Sequence, residues 1–432
     1  MNKGEDQRGR NRKPGSRPEP VRGRTGRNQR GQSSSGAEGS RRPISREERM
    51  RRKRERLKRR RRIAIAILCG IVLLLILIVV GITVLLRHFT GGSDGNDKNQ
   101  GHASDLTIEQ QSGEDQQAEQ DTEQDTEPIS ITVSAAGDCT LGTDENFNAS
   151  TSLNAYYDSN GPAYFFQNVK SIFEADDLTI VNMEGTLTEE TSRQDKTYAF
   201  KGPAEYTQIL TDGGVEAANL ANNHSHDYGD KSYTDTIEAL DAAGITNFGY
   251  DRTAVMDVNG VKVGLVGTYE LADGMGCEDE MISNIKAVED QGAQIVIVSF
   301  HWGIERENYP TENQVNLAHS AIDNGADLVL GHHPHVLEGI EVYNGKNIVY
   351  SLGNFCFGGN SNPSDKDTMI FQQTFTVQNG ELVEDNVTNI IPCSLSSESG
   401  YNDYQPTPLE GDEADRVRGR IEEYSSGLSG NS

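Results

Sequence analysis

The side chains in this sequence best suited to chemistry are its histidines, and they cluster. Of nine in 432 residues, six stand at 224, 226, 301, 332, 333 and 335. The stretch LVLGHHPHVLEG, residues 328–339, puts His332, His333 and His335 within four positions. Residues i and i+2 of an extended segment share a side, and Pro334 biases the residue before it toward extended geometry. His333 and His335 are therefore expected to face one ion, with His332 pointing elsewhere. LANNHSHDYG adds Asn223 and His224, and SFHWGIE adds His301 beside the single tryptophan. AAGDCTLG and NMEGTL each set a carboxylate next to a glycine, Asp138 and Glu184. Each motif alone has a plainer reading: Asn favours turns, and a strand-end histidine is satisfied by a backbone carbonyl. Together they form a mixed nitrogen and oxygen set without thiolate, which suits Mn, Fe, Zn or Co better than Ca or Mg. So many ligands exceed one tetrahedral ion and suit two divalent ions ~3.5–4 Å apart, an arrangement that activates water for attack on phosphorus.

These residues sit at the ends of apolar runs. ISITVSAAGD, LTIVNMEG, VEAANLANN, GVKVGLVGT, AQIVIVSFHWG, ADLVLGHHPH and NIVYSLGNF read as strands. Helical stretches are expected at 164–175, 203–212, 230–243, 281–291 and 312–324. In 230–243, Tyr233, Ile237, Leu240 and Ala243 recur near the helical period and Gly244 follows as a stop. Alternating strand and helix argues an α/β architecture, in which ligands sit beyond the carboxyl ends of strands. TMIFQQTFTVQNG and LVEDNVTNIIP follow one another without a helix and are expected in a second, more antiparallel sheet. One domain is expected over residues 130–395, with a C-terminal extension over 396–432.

The ends of the chain carry opposite charge. Residues 1–62 hold 24 Lys and Arg against 7 Asp and Glu, and the remainder holds 16 against 59, so +17 and −43 give the net −26. This basic, Gly/Arg/Ser-rich segment lacks the apolar side chains of a core and reads as a disordered tail. Residues 63–86 are 24 positions without a charge, long enough for a transmembrane helix. The run is too long for a signal-peptide core. Its basic flank places the N-terminus in the cytoplasm and residues 87–432 outside the cell membrane. Residues 87–129 are an acidic extracellular linker. Cys139, Cys277, Cys356 and Cys393 lie outside, where disulfides form, but four cysteines allow three pairings.

The ordered series GD, NMEGTLT, FKGP, LANNHSHDYG, HWGIE and GHHPHVLEGIEVYNGKNIVYSLGNF resembles the CapA family of capsule biosynthesis proteins, over about residues 130–395. That resemblance implies a calcineurin-like metallophosphoesterase-type fold, a two-sheet β-sandwich flanked by helices. It also implies a role in making or exporting an anionic polymer such as poly-γ-glutamate. Carried over residue by residue, Asp138 and His335 would hold the first metal and Glu184 would bridge. Asn223, His301 and His333 would hold the second metal, and His224 would be the leaving-group acid. Two positions depart from the metallophosphoesterase pattern. Asp138-Cys139-Thr140 stands where Asp-x-His is usual, and Glu184 replaces a bridging aspartate.

The folded region has no G-x-S-x-G, and the chain has no G-x-x-x-x-G-K-[ST]. Polymerisation driven by ATP would need a ligase among other capsule-synthesis membrane proteins. A specific nucleic-acid partner is not expected, and the acidic outer region disfavours electrostatic holding of a polyanion away from the metals. Three functions remain: a membrane-anchored capsule-polymer factor, a surface hydrolase of phosphoester substrates, and a non-catalytic scaffold.

Overall fold

The computed structural model describes residues 127–428. The basic tail, the charge-free run 63–86 and all but the last residues of the acidic linker lie outside the described residues. Among the described residues no helix is long and apolar enough to cross a membrane.

Among the described residues sixteen strands follow in chain order: β1 Ile129–Thr140, β2 Leu178–Glu184, β3 Thr186–Leu187, β4 Lys201–Gly202, β5 Ala217–Asn219, β6 Thr246–Phe248, β7 Ala254–Val258, β8 Val261–Tyr269, β9 Ile295–His301, β10 Leu328–His332, β11 Ile340–Tyr343, β12 Lys346–Val349, β13 Asn354–Phe357, β14 Asp367–Gln378, β15 Glu381–Ser394 and β16 Thr407–Pro408. One sheet runs β16-β15-β14-β1-β2-β5-β6, with β13 also on β1; a second runs β11-β12-β10-β9-β8-β7, and β3 and β4 form a small pair of their own. Strands β1, β2, β5 and β6 are parallel, as are β8, β9, β10 and β12. The hairpin β14–β15 does not belong to a separate antiparallel sheet as expected. It extends the first sheet, because β14 pairs antiparallel with β1 from Ile129↔Val377 to Ala135↔Phe371.

Three apolar layers follow from alternation along the strands. Ile131, Val133, Ile180, Leu265, Ile297 and Leu330 fill the space between the sheets. Val181, Met183 and Ala218 face outward onto Phe166, Leu210 and Leu240. Val298, Phe300 and Val329 face outward onto Met281, Ile285 and Leu317. Helices at Asp230–Ala243, Glu278–Asp290 and Glu312–Asp323 match the expected segments; within 164–175 only Lys170–Phe173 is α-helical. The helix Gly411–Ser425 places Val417 and Ile421 in the inter-sheet core, so residues beyond 395 pack with the domain. The four cysteines here are free and buried.

Three of the parallel strands, β2, β9 and β10, keep the same inward face to their C-terminal ends, where the side chains turn polar. On β2, Leu178 and Ile180 give way to Asn182 and Glu184; on β9, Ile295 and Ile297 to His301; on β10, Leu328 and Leu330 to His332. Strand β1 needs a correction to do the same. Ile131, Val133 and Ala135 face inward, and a register shift between Ala135 and Asp138 puts Asp138 inward and Cys139 outward. Gly137 permits it: a Cβ there would lie 2.0 Å from the Gly353 carbonyl oxygen. The same oxygen accepts the Asp138 N–H at 2.9 Å. Gly137→Ala is expected to cost about 1–3 kcal/mol of stability through overpacking against backbone, read from the urea midpoint at unchanged slope. An unchanged midpoint would mean that this close approach does not fix the bulge.

Candidate metal centre

Asp138 is fully buried where the two sheets meet. Its Oδ1 accepts from Asn182 Nδ2 at 2.8 Å, and its Oδ2 lies 3.2 Å from the His333 N–H nitrogen and 3.1 Å from His335 Nδ1. Asn182 is itself oriented. The Ala221 N–H donates to Asn219 Oδ1 at 3.1 Å, and Asn219 Nδ2 donates to Asn182 Oδ1 at 2.9 Å. Asn182 must therefore present its NH₂ to Asp138. Burial would raise the Asp138 carboxyl, but the hydrogen bond and charge of His335 hold it below its usual range.

Glu184 accepts from the Thr140 hydroxyl at 3.3 Å and lies 3.5 Å from His301 Nε2. His301 Nε2 also stands 3.0 Å from Asn223 Oδ1. Burial pushes Glu184 up to about 8. His335, which burial opposes, is held up at about 9 by Glu184 and Asp138. Burial drives His301 well below its usual range, and burial with the neighbouring His335 drives His333 down to about 3. Glu184 and Asp138 thus favour a proton on His335, the imidazole that faces both.

Asp138, Glu184, Asn223, His301, His333 and His335 therefore converge. Ligand atoms of Glu184, His301 and His333 lie within 4.8 Å of one another, as do those of Asp138, Glu184 and His335. Glu184 belongs to both groups. Its Oε1 and the Nδ1 of His333 are buried without a hydrogen-bond partner. Unpartnered buried polar atoms are costly, and a carboxylate oxygen beside neutral imidazoles is the donor set of a divalent transition ion. The residues fit two such ions sharing Glu184. Cys139 takes no part, since its thiol faces the outer core and burial raises it to about 12.

The backbone of the histidine triplet differs from the extended form expected. His333 has φ 97° and His335 φ 59°. The chain turns back once β10 ends, because the His333 N–H bonds Asp138 and the Pro334 carbonyl accepts the Arg306 N–H at 2.8 Å. Both rings still reach the site, 5.6 Å apart between centroids. Nor does His332 point away. It continues the inward face of Leu328 and Leu330 and sets Nδ1 3.6 Å from Asp138 Oδ1, with neither ring nitrogen hydrogen-bonded. Counting alternation along β10 would have found this.

His224 stands at the edge of the cluster. Its Nδ1 lies 2.8 Å from Asp227 Oδ2, and Lys196 Nζ clamps Asp227 Oδ1 at 2.6 Å and the Asn223 carbonyl at 2.8 Å. Asp227 fixes the tautomer with hydrogen on Nδ1 and a lone pair on Nε2. Burial lowers His224 below its usual range although Asp227 opposes this. Asp227 and Lys196 were not singled out from sequence; Asp227, three residues past His224 in the same loop, was the readable signal. His226 is exposed, 3.3 Å from Asp230, and outside the site.

Residues 132–359 match the family described as bacterial capsule synthesis protein PGA_cap. The chain belongs to that family. It is 35% identical over 219 residues to the PGA biosynthesis protein CapA of Bacillus subtilis, covering 46% of this chain and 57% of that one. It is 31% identical over 253 residues to the capsule biosynthesis protein CapA of Bacillus anthracis, covering 52% and 60%. A probable polyglutamine synthesis accessory protein of Mycobacterium tuberculosis is 29% identical over 211 residues, covering 41% and 55%. The chain thus spans a little over half the length of these relatives.

The three neighbouring histidines are expected to separate on substitution. His335→Ala should lower the manganese retained by the purified protein, measured by mass spectrometry after gel filtration. His332→Phe, which keeps the ring volume, should retain it. Equal loss in both variants would contradict the grouping of ligands.

Proposed function

We propose that this member of the PGA_cap family acts in synthesis or export of a capsular anionic polymer of the poly-γ-glutamate kind, and that the cluster around Glu184 is its two-ion metal centre. The observation that carries the second part is Glu184, which is common to two groups of possible ligands and has a buried, unpartnered Oε1. The first part draws on the relatives, one described as a PGA biosynthesis protein and another as a capsule biosynthesis protein. In this reading the charge-free run 63–86 anchors the chain and the folded domain works outside the cell membrane. The fold is read as metallophosphoesterase-like: two mixed sheets face to face, with ligands at parallel strand ends.

Divalent ions in such a centre supply Lewis acidity toward a phosphoryl or carbonyl oxygen. The rest is done by the chain. A groove of about 450 Å³ opens beside the cluster, lined by Asn146, Tyr198, His224, His335, Asn354 and Phe357 among others. Side-chain amides and aromatic faces suit an elongated polar chain. His224 offers Nε2 toward the reacting group, and Asp227 with Lys196 holds that ring in place.

A second reading, an extracellular hydrolase of phosphoester substrates, is favoured by the His224–Asp227 pair, since a positioned proton donor contributes ~10²–10⁴-fold. One set of variants tests both readings. Cells carrying Asp138→Asn at normal protein level are expected to lose surface polymer; normal polymer would contradict a role for the centre. Purified His224→Ala should keep its metal and lose phosphodiester turnover by ~10²-fold or more, much less with a nitrophenolate leaving group. A metal-loaded wild type without phosphodiester turnover would remove the second reading and leave the first.

A further inference from the structure

The metal pattern carried over from the family leaves a gap. The position where a first-metal histidine is usual is Thr140, whose hydroxyl donates to Glu184, and Cys139 faces the outer core. Asp138, Glu184 and His335 are then three ligands where an ion of this class takes more.

The turn after β9 reaches the same place. Gly303, at φ 78°, starts it; a Cβ there would meet Gln314 Oε1 at 2.6 Å. The chain doubles back so that a carboxylate oxygen of Glu305, a ring nitrogen of His333 and a ring nitrogen of His335 lie within 4.8 Å of one another. The turn is tied to the histidine loop by the Arg306 N–H to the Pro334 carbonyl, and Arg306, His333 and His335 all adopt positive φ. Three non-glycine residues in that region are costly and collect at functional sites. His333 is 6% exposed and its Nδ1 has no hydrogen-bond partner. Glu305 is itself exposed, at the mouth of the groove that His335 lines.

We propose that Glu305 is a metal ligand of this centre, supplying from the turn after β9 the donor that Cys139 and Thr140 do not provide. This rests on reading the cluster as a metal centre. Glu305 enters from the solvent side, opposite the buried Asp138 and Glu184. It would close the shell over His333 and His335, with Asp138 and Glu184 buried beneath.

The test uses the purified full-length chain, freed of metal by chelation and titrated with Co²⁺, following affinity and visible absorption together. Glu305→Gln is compared with His335→Ala and with Glu307→Gln, which removes the same charge two residues away. Glu305→Gln is expected to weaken Co²⁺ binding by at least about tenfold and to shift the absorption bands. Glu307→Gln should leave both unchanged. If Glu305→Gln keeps the wild-type affinity and spectrum while His335→Ala loses them, the centre stands and Glu305 is not part of it. Equal losses for Glu305→Gln and Glu307→Gln would reduce Glu305 to a general charge effect and overturn the assignment. Wild type and His335→Ala binding alike would overturn the centre and this inference with it.

Discussion

One buried carboxylate ties this domain together. Asp138 is a buried point of contact between the two sheets: Asn182 donates to it from the first, and the His333 N–H and His335 reach it from the second, with His332 Nδ1 3.6 Å away. A buried charge is tolerated only when paired and hydrogen-bonded, so the loop after β10 cannot relax without exposing that cost. The left-handed backbone of His333 and His335 follows from the same demand. So does Gly137, without which β1 would carry its carboxylate to the outer face.

The inner faces of the parallel strands explain why the site lies where it does. A two-residue period that places Leu328 and Leu330 in the core must place His332 over the same face, and likewise Ile180, Asn182 and Glu184. The apolar core and the polar cluster are one surface read from middle to end. Two buried acidic side chains, Asp138 and Glu184, face imidazoles whose basicity burial lowers, and Glu184, common to both ligand groups, has a buried oxygen without a hydrogen-bond partner.

Much of this was legible because strand ends and residue types are local properties. The runs ending in Asp138, Glu184, Asn223, His301 and His333 could be aligned without knowing the sheets. What escaped depends on tertiary contacts. The turn at His333 is imposed by Asp138, 195 residues away. The hairpin β14–β15 joins the first sheet because β1 offers it an edge, which nothing in its own pattern states. Asn182 and Asn219 are amides with no metal-ligand signature, and they form a relay from the Ala221 N–H to Asp138. Asp227 and Lys196 likewise act through His224. The segments that carry the basic tail and the charge-free run lie outside the described residues, so their reading still rests on charge and hydropathy alone.

The central claim is that the ends of these parallel strands hold a two-ion centre bridged by Glu184. Anomalous diffraction from crystals of the protein grown with Mn²⁺ addresses it most directly. Two peaks are expected, one flanked by Asp138, Glu184 and His335 and the other by Glu184, His301 and His333. A map with no anomalous peak at Glu184, from crystals in which the same side chains are ordered, would contradict it.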